Sequence, residues 1–127
     1  MEYLVDTHAL IRFMNGDTSL SPENIARIKN EANYCYVSIA SIWEIAIKIN
    51  LGKLEIKIGF GKIADFLIKN ELKVLPIEFD HLQVLLKLEL IHRDPFDRVI
   101  IAQGVSQDFT IITRDENFAH YPVKCIW

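Results

Sequence analysis

Tyr34-Cys35-Tyr36-Val37-Ser38-Ile39-Ala40-Ser41-Ile42-Trp43-Glu44 changes its period half-way along, and that change decides the fold. Tyr34 to Ser38 is aromatic and β-branched, the composition of a strand buried on a pleated sheet. From Ile39 to Leu51 the apolar residues Ile42, Ile45, Ala46 and Ile49 recur at helical spacing, and Gly52 supplies a stop. A strand that hands over directly to a helix is the building unit of an α/β protein.

The same handover recurs on both sides of this stretch. Met1 to Asp6 reads as a short buried strand and Thr7 to Asn15 as a helix closed by Asn15-Gly16. Ser21 is a helix N-cap with Pro22 in the first turn, and that helix is expected to run to about Ala32. Downstream, Gly59 to Gly61 forms a loop before a helix over Ala64 to Asn70, and Lys73 to Ile77 reads as a third strand. Phe79 to Leu90 is expected to be helical, with Leu82, Leu85, Leu86 and Leu88 along its apolar side. Asp94-Pro95 starts a helix to about Gln107, Thr110 to Thr113 is a fourth strand, and Val123 to Ile126 a fifth. This alternation predicts an α/β fold, with a mostly parallel, roughly five-stranded sheet covered by helices on both faces. Residues 1–127 read as a single domain without linker, repeat or low-complexity tract.

A chain of 127 residues buries roughly two thirds of its unfolded surface, enough for a core without staples. Half the residues are hydrophobic and the mean hydropathy is +0.16. A generously buried core explains that balance, and so does an interface with a partner or a second copy. The net charge of −3 and pI of 5.8 exclude a protein that holds nucleic acid by bulk charge. Attraction to a polyanion would need local groups, either Lys48, Lys53, Lys57 and Lys62 or the arginines Arg12, Arg93, Arg98 and Arg114. Cys35 and Cys125 match no metal or disulfide spacing and read as buried reduced thiols. No signal sequence is evident, and no apolar run reaches the ~20 residues of a membrane helix. A cytoplasmic location is expected.

Four acids fall where strands hand over to helices or turns: Asp6, Glu44, Asp97 and Asp115. In an open α/β sheet these positions converge on the crevice beyond the carboxyl ends of the strands. Carboxylates crowded there repel one another unless a cation joins them, and Mg²⁺ prefers such oxygen ligands. Each acid also has a structural reading. Asp6 suits the N-cap of the helix beginning at Thr7. Ser41-x-x-Glu44 matches a capping box, although a helix starting near Ser38 would place Glu44 too late for it. Asp94 before Pro95 is an N-cap candidate, which leaves Asp97 in the first turn as the ligand and Asp94 as an accessory acid. Asp115 could be a turn residue. Together the four point to metal-assisted phosphodiester hydrolysis.

Other chemistries fit less well. Gly59-Phe60-Gly61-Lys62 lacks the spacing and the hydroxyl residue of a phosphate loop. His8, His81, His92 and His120 lack zinc spacing, and no Gly-x-Ser-x-Gly elbow presents a serine. Asp6-Thr7-His8 lacks the second aspartate of a phosphatase loop.

Leu4-Val5-Asp6-Thr7-His8, Ser38-Ile39-Ala40-Ser41-Ile42-Trp43-Glu44, His92-Arg93-Asp94-Pro95-Phe96-Asp97-Arg98 and Ile111-Ile112-Thr113-Arg114-Asp115 with Phe118 follow one another in a familiar order. In that order the chain resembles PIN-domain ribonucleases, in particular the VapC-type toxins of type II toxin–antitoxin pairs. The resemblance implies a three-layer α/β/α fold and an acidic site at Asp6, Glu44, Asp97 and Asp115. Asp94 would belong to a variant of the third motif, and Thr113 would support the site. It further implies Mg²⁺- or Mn²⁺-dependent endonucleolytic cleavage of RNA, the ion activating a water and stabilising the charge on the phosphate. A cognate antitoxin, seated in a groove near the first helices, and a homodimer would complete the picture. A non-cleaving RNA- or protein-binding module stays open, as does a phosphoesterase acting on DNA or phosphomonoesters.

Overall fold

The computed structural model describes residues 1–127. In order, the elements are β1 (Glu2–Val5), α1 (Thr7–Asn15), α2 (Pro22–Lys29), β2 (Tyr34–Ser38), α3 (Ile39–Asn50), α4 (Ile63–Lys69) and β3 (Leu72–Leu75). There follow α5 (Phe79–Lys87), α6 (Pro95–Gln107), β4 (Thr110–Ile112) and β5 (Lys124–Ile126). Short 3-10 turns cover Phe60–Lys62 and Glu116–His120. The strands form one five-stranded sheet in the order β3-β2-β1-β4-β5, with every neighbouring pair parallel.

Alternation along the strands divides the interior into two cores. Tyr3, Val5, Cys35, Val37 and Ile112 face one way and pack with Leu10 of α1, Ile28 of α2, Ile45 of α3 and Leu67 of α4. Leu4, Tyr36 and Ile111 face the other way, toward Ile100 and Ile101 of α6, Phe109 and Phe118. The result is the expected three layers. Leu4 and Val5 of the central strand are both at 0% exposure, so β1 is covered on each face.

The chain winds outward from β1 through β2 to β3, then returns to lay β4 on β1's other side. The direction therefore reverses between β1 and β4, which is where such sheets open a ligand crevice. Register brings the ends level: Val5 pairs with Val37 and with Ile112, so Asp6, Ser38 and Thr113 leave the sheet side by side. No helix of the molecule is long and apolar enough to cross a membrane.

Several expectations need correction. Strand β3 ends at Leu75, because Pro76 lacks the N–H that would extend the ladder. Helix α2 stops at Lys29, capped by Asn30, rather than reaching Ala32. Helix α5 ends at Lys87 and turns a different face inward: Leu82 and Leu86 are exposed, whereas His81 is buried. His81 Nδ1 accepts the N–H of Glu78 at 3.0 Å, and its Nε2 lies 2.8 Å from Gln107 Oε1. That pair of bonds rotates the helix and leaves two of its leucines outside. Cys35 is buried as expected, but Cys125 is exposed, because β5 is an edge strand with one flank open.

Candidate active site

Asp6 caps α1: its Oδ1 accepts the N–H of Ala9 at 2.8 Å. Its Oδ2 simultaneously accepts the hydroxyl of Thr113 at 2.5 Å. One carboxylate thus caps the helix and holds the end of β4. Thr113 also accepts the N–H of Asp115 at 3.1 Å, so a single hydroxyl ties the ends of β1 and β4 together. Asp115 in turn caps the following 3-10 turn through the N–H of Asn117 at 2.9 Å. Asp6 and Asp115 line one polar cleft of about 220 Å³ together with His8, Arg12 and Arg114.

Glu44 and Asp97 form a second pair, set by the packing of α3 on α6. Ser38 caps α3 by accepting the N–H of Ala40 at 3.0 Å, which puts Glu44 in the second turn and rules out the capping-box role. Ser41, one turn earlier, meets Thr7 hydroxyl to hydroxyl at 2.8 Å, anchoring α3 to the start of α1. Trp43 packs edge-on against Phe96 at 5.1 Å and holds α3 against the first turn of α6. Glu44 is buried at 4% exposure; Lys48 Nζ reaches its Oε2 at 2.9 Å, while Oε1 is buried without a partner. An unpaired buried carboxylate oxygen is costly, and it marks a position built for a cation.

Asp94 is the N-cap of α6, its Oδ1 accepting the N–H groups of Phe96 and Asp97. Asp97 then falls in the first turn, buried, with Oδ2 bonded to His92 Nε2 at 2.9 Å. Burial pushes the Asp97 carboxyl up to about 6, and the neighbouring charges of Asp94 and Glu44 push the same way against the His92 hydrogen bond. Asp6 is likewise raised, chiefly by burial, with the Thr113 and Ala9 hydrogen bonds opposing. Both shifts are those of carboxylates placed in a dry site. Of the four acids, Asp6 and Asp115 share a cleft and Asp97 feels Glu44, while the Thr7–Ser41 bond ties α1, which follows Asp6, to α3, which carries Glu44.

The structure adds a residue that spacing did not single out. The side chains of His92, Asp94 and Asp97 offer ligand atoms within 4.8 Å of one another. His92 reaches Asp97 because the loop before α6 is pinned from below: Tyr121 Oη accepts the N–H of His92 at 2.7 Å. Buried Arg98 donates to Tyr121 Oη and to the carbonyl of Glu89. In sequence the only sign was the histidine's place five residues before Asp97.

The donor set is one of hard oxygens, with Asp6, Glu44 and Asp97 buried and Glu44 Oε1 left without a partner. These residues fit a divalent cation such as Mg²⁺ or Mn²⁺.

Comparison with known families settles where the chain belongs. The model of the PIN domain matches residues 3–124. The chain is a member of the PIN domain family. PIN domains are in general nucleases that use divalent metal, and this chain carries a cluster of acidic residues at one end of its sheet. No curated protein matches it by sequence. Among solved structures it is similar to a chain of VapBC2 from Rickettsia felis, bound to a DNA fragment from their promoter. That match has a TM-score of 0.77 and 16% identity, over 99% of this chain and 98% of that one. A chain of VapBC-1 from nontypeable Haemophilus influenzae matches with a TM-score of 0.68 and 16% identity, over 99% and 97%. One of FitAcB from Neisseria gonorrhoeae matches at 0.62 and 15%, over 98% and 96%. At these identities the likeness is one of fold.

Proposed function

We propose that this PIN domain is a metal-dependent endoribonuclease, the toxin of a toxin–antitoxin module, acting in the cytoplasm as one domain over residues 1–127. The observation that carries the reading is buried negative charge at one sheet end: Asp6, Glu44 and Asp97 are all buried, and their ion-pair partners are Lys48 and His92.

Asp6, Glu44, Asp97 and Asp115 would hold Mg²⁺ or Mn²⁺, directly or through water. When bound, the ion supplies an activated water and positive charge for the scissile phosphate. The protein's own part is to fix the carboxylates beforehand. Lys48 holds Glu44 Oε2 and leaves Oε1 free; His92 holds Asp97 Oδ2; the N–H of Asn117 holds Asp115 Oδ1. Thr113 orients Asp6 and favours its ionised form. Each acid therefore keeps its rotamer while retaining acceptor capacity, and little reorganisation remains when charge develops on the substrate. Asp94 acts through the cap, fixing the turn that carries Asp97.

The partner reading draws on two apolar surfaces. Ile39, Trp43 and Ile47 of α3, with Leu51 at its C-cap, recur every fourth residue and are all exposed, a stripe suited to a second copy of the chain. A groove of about 920 Å³ between α3, α4 and the β3 edge is lined by Ile39, Ile42, Phe60, Ile63, Leu67 and Val74 among others. It suits the apolar face of an antitoxin segment, by helix-in-groove docking, and lies further along the chain than the expected seat near the first helices.

Purified protein freed of any partner should be offered single- and double-stranded RNA, DNA and a phosphomonoester, with Mg²⁺, Mn²⁺ or EDTA. RNA fragments in either metal and none in EDTA are the expected result. Cleavage of DNA alone, of the monoester alone, or of RNA in EDTA would overturn the proposal.

A further inference from the structure

Two guanidinium groups stand against one indole at the mouth of the acidic cleft. Arg12 lies 5.6 Å and Arg114 6.0 Å from the centre of the Trp127 ring. Arg12 comes from the last turn of α1 and Arg114 directly follows Thr113, while Trp127 follows β5. The parallel register of β4 and β5, with the N–H of Thr113 on the carbonyl of Ile126 at 3.0 Å, sets the indole beside both. Both arginines also line the cleft that holds Asp6 and Asp115.

What sets this pair apart is that both members line the acidic cleft, lie against one indole and have no ion-pair partner. The ion pairs of the molecule are Lys48–Glu44, His92–Asp97 and Lys124–Asp108, so neither arginine is held by a carboxylate within 4.0 Å. Neither guanidinium makes a hydrogen bond within the chain; Arg98, by contrast, is fully engaged with carbonyls and Tyr121. Cation–π contact with the indole limits the freedom of both side chains and leaves their N–H donors without partners, free to grip a phosphate. The cleft has no hydrophobic lining residue, which suits a hydrated polyanion and not an apolar peptide. A chain of net charge −3 also needs a local attractor if it is to bind RNA.

We propose that Arg12 and Arg114, organised by Trp127, form the subsite that holds the RNA backbone phosphate next to the scissile one. The proposal rests on the nuclease reading above, and its test separates the two. A short fluorescent single-stranded RNA is titrated by anisotropy, with Ca²⁺ in place of Mg²⁺, over a range of salt. Arg12→Gln/Arg114→Gln should bind about tenfold more weakly, and the slope of log affinity on log salt should flatten by roughly 0.7 for each phosphate no longer neutralised. Trp127→Leu should lose affinity yet keep the wild-type slope, because the charges remain and only their organisation goes. Unchanged affinity and slope in the folded double variant would overturn the subsite, whatever the cleavage assay shows. So would an equal loss in the surface control Lys62→Gln/Lys69→Gln, which would mean bulk charge, and so would preference for an acidic peptide over RNA. Wild-type binding with the expected slopes, but without cleavage in Mg²⁺, would support the subsite and defeat the nuclease reading.

Discussion

Asp97 carries the largest consequence of any single residue, because burial and two neighbouring carboxylates raise its pKa to about 6 from 3.8. The folded state therefore keeps this proton at pH values where the unfolded chain has released it. The group's contribution to stability is complete below pH 3.8 and is lost as pH rises through about 6. Metal-free protein should thus lose stability across that window, and Asp97→Asn should flatten the dependence, gaining on the order of 2 kcal/mol at neutral pH. Urea titrations from pH 4 to 8 in EDTA check this; a wild-type curve parallel to the variant's would refute it. The same substitution, and Asp6→Asn, should lower RNA cleavage at least about a hundredfold with the fold intact, since charge is lost at nearly constant volume. Full activity in either well-folded variant would sink the assignment. At this scale the sequence left Asp6 with two readings, cap or ligand. The cap is seen directly, and the second oxygen is held by Thr113, a contact between the ends of β1 and β4 that no local pattern reveals. His92 stayed illegible because its bond to Asp97 depends on Tyr121 and Arg98 pinning a loop from distant parts of the chain.

Helix α6 shows how an element carries the site. Its N-terminus is fixed by Asp94 and its middle by close approach to the sheet at Gly104, where a Cβ would meet Ile111 Cδ1 at 2.9 Å and Val123 Cγ2 at 3.0 Å. Gly104→Ala should therefore destabilise by about 1–3 kcal/mol, despite Ala's better helix propensity, and thermal melts would show it. Asp94→Ala should cost about 1 kcal/mol through the lost cap, and Asp94→Asn much less, because Asn also caps. An equal loss in both would mean that the charge and not the cap is what matters. Elements with an uninterrupted period and a cap were readable from sequence: α1, α3 and α6 start and stop within a residue of expectation. Helix α5 was not, because leucines lie on more than one side of it and a buried histidine, bonded to Gln107, chose which side turned inward. Cys125 was misread for a related reason. An apolar strand looks buried in sequence, but only tertiary order reveals that β5 lies at the sheet's edge.

Across the whole molecule, strand order turns local signals into one place. The fold class and parallel sheet followed from alternation, but the reversal between β1 and β4 that makes the crevice is a property of the order β3-β2-β1-β4-β5. If that crevice binds a divalent ion, Mn²⁺ at about a hundred times its dissociation constant should stabilise the fold by about 2.7 kcal/mol, and Asp97→Asn should respond less. Equal shifts in the two proteins would place the ion elsewhere. The apolar surplus has its own test. Ile47→Glu with Leu51→Glu, on the exposed stripe of α3, should convert a dimer to a monomer in light scattering while sparing the fold; a wild-type monomer would remove that reading alone. Everything proposed for the chemistry depends on four carboxylates from separate segments forming one metal site, against the rival grouping of His92, Asp94 and Asp97. Anomalous diffraction from crystals grown with Mn²⁺ distinguishes the two. The expected peak is coordinated, directly or through water, by Asp6, Glu44 and Asp97 with Asp115 beside it; a peak confined to His92, Asp94 and Asp97, away from Asp6, would contradict the four-acid site.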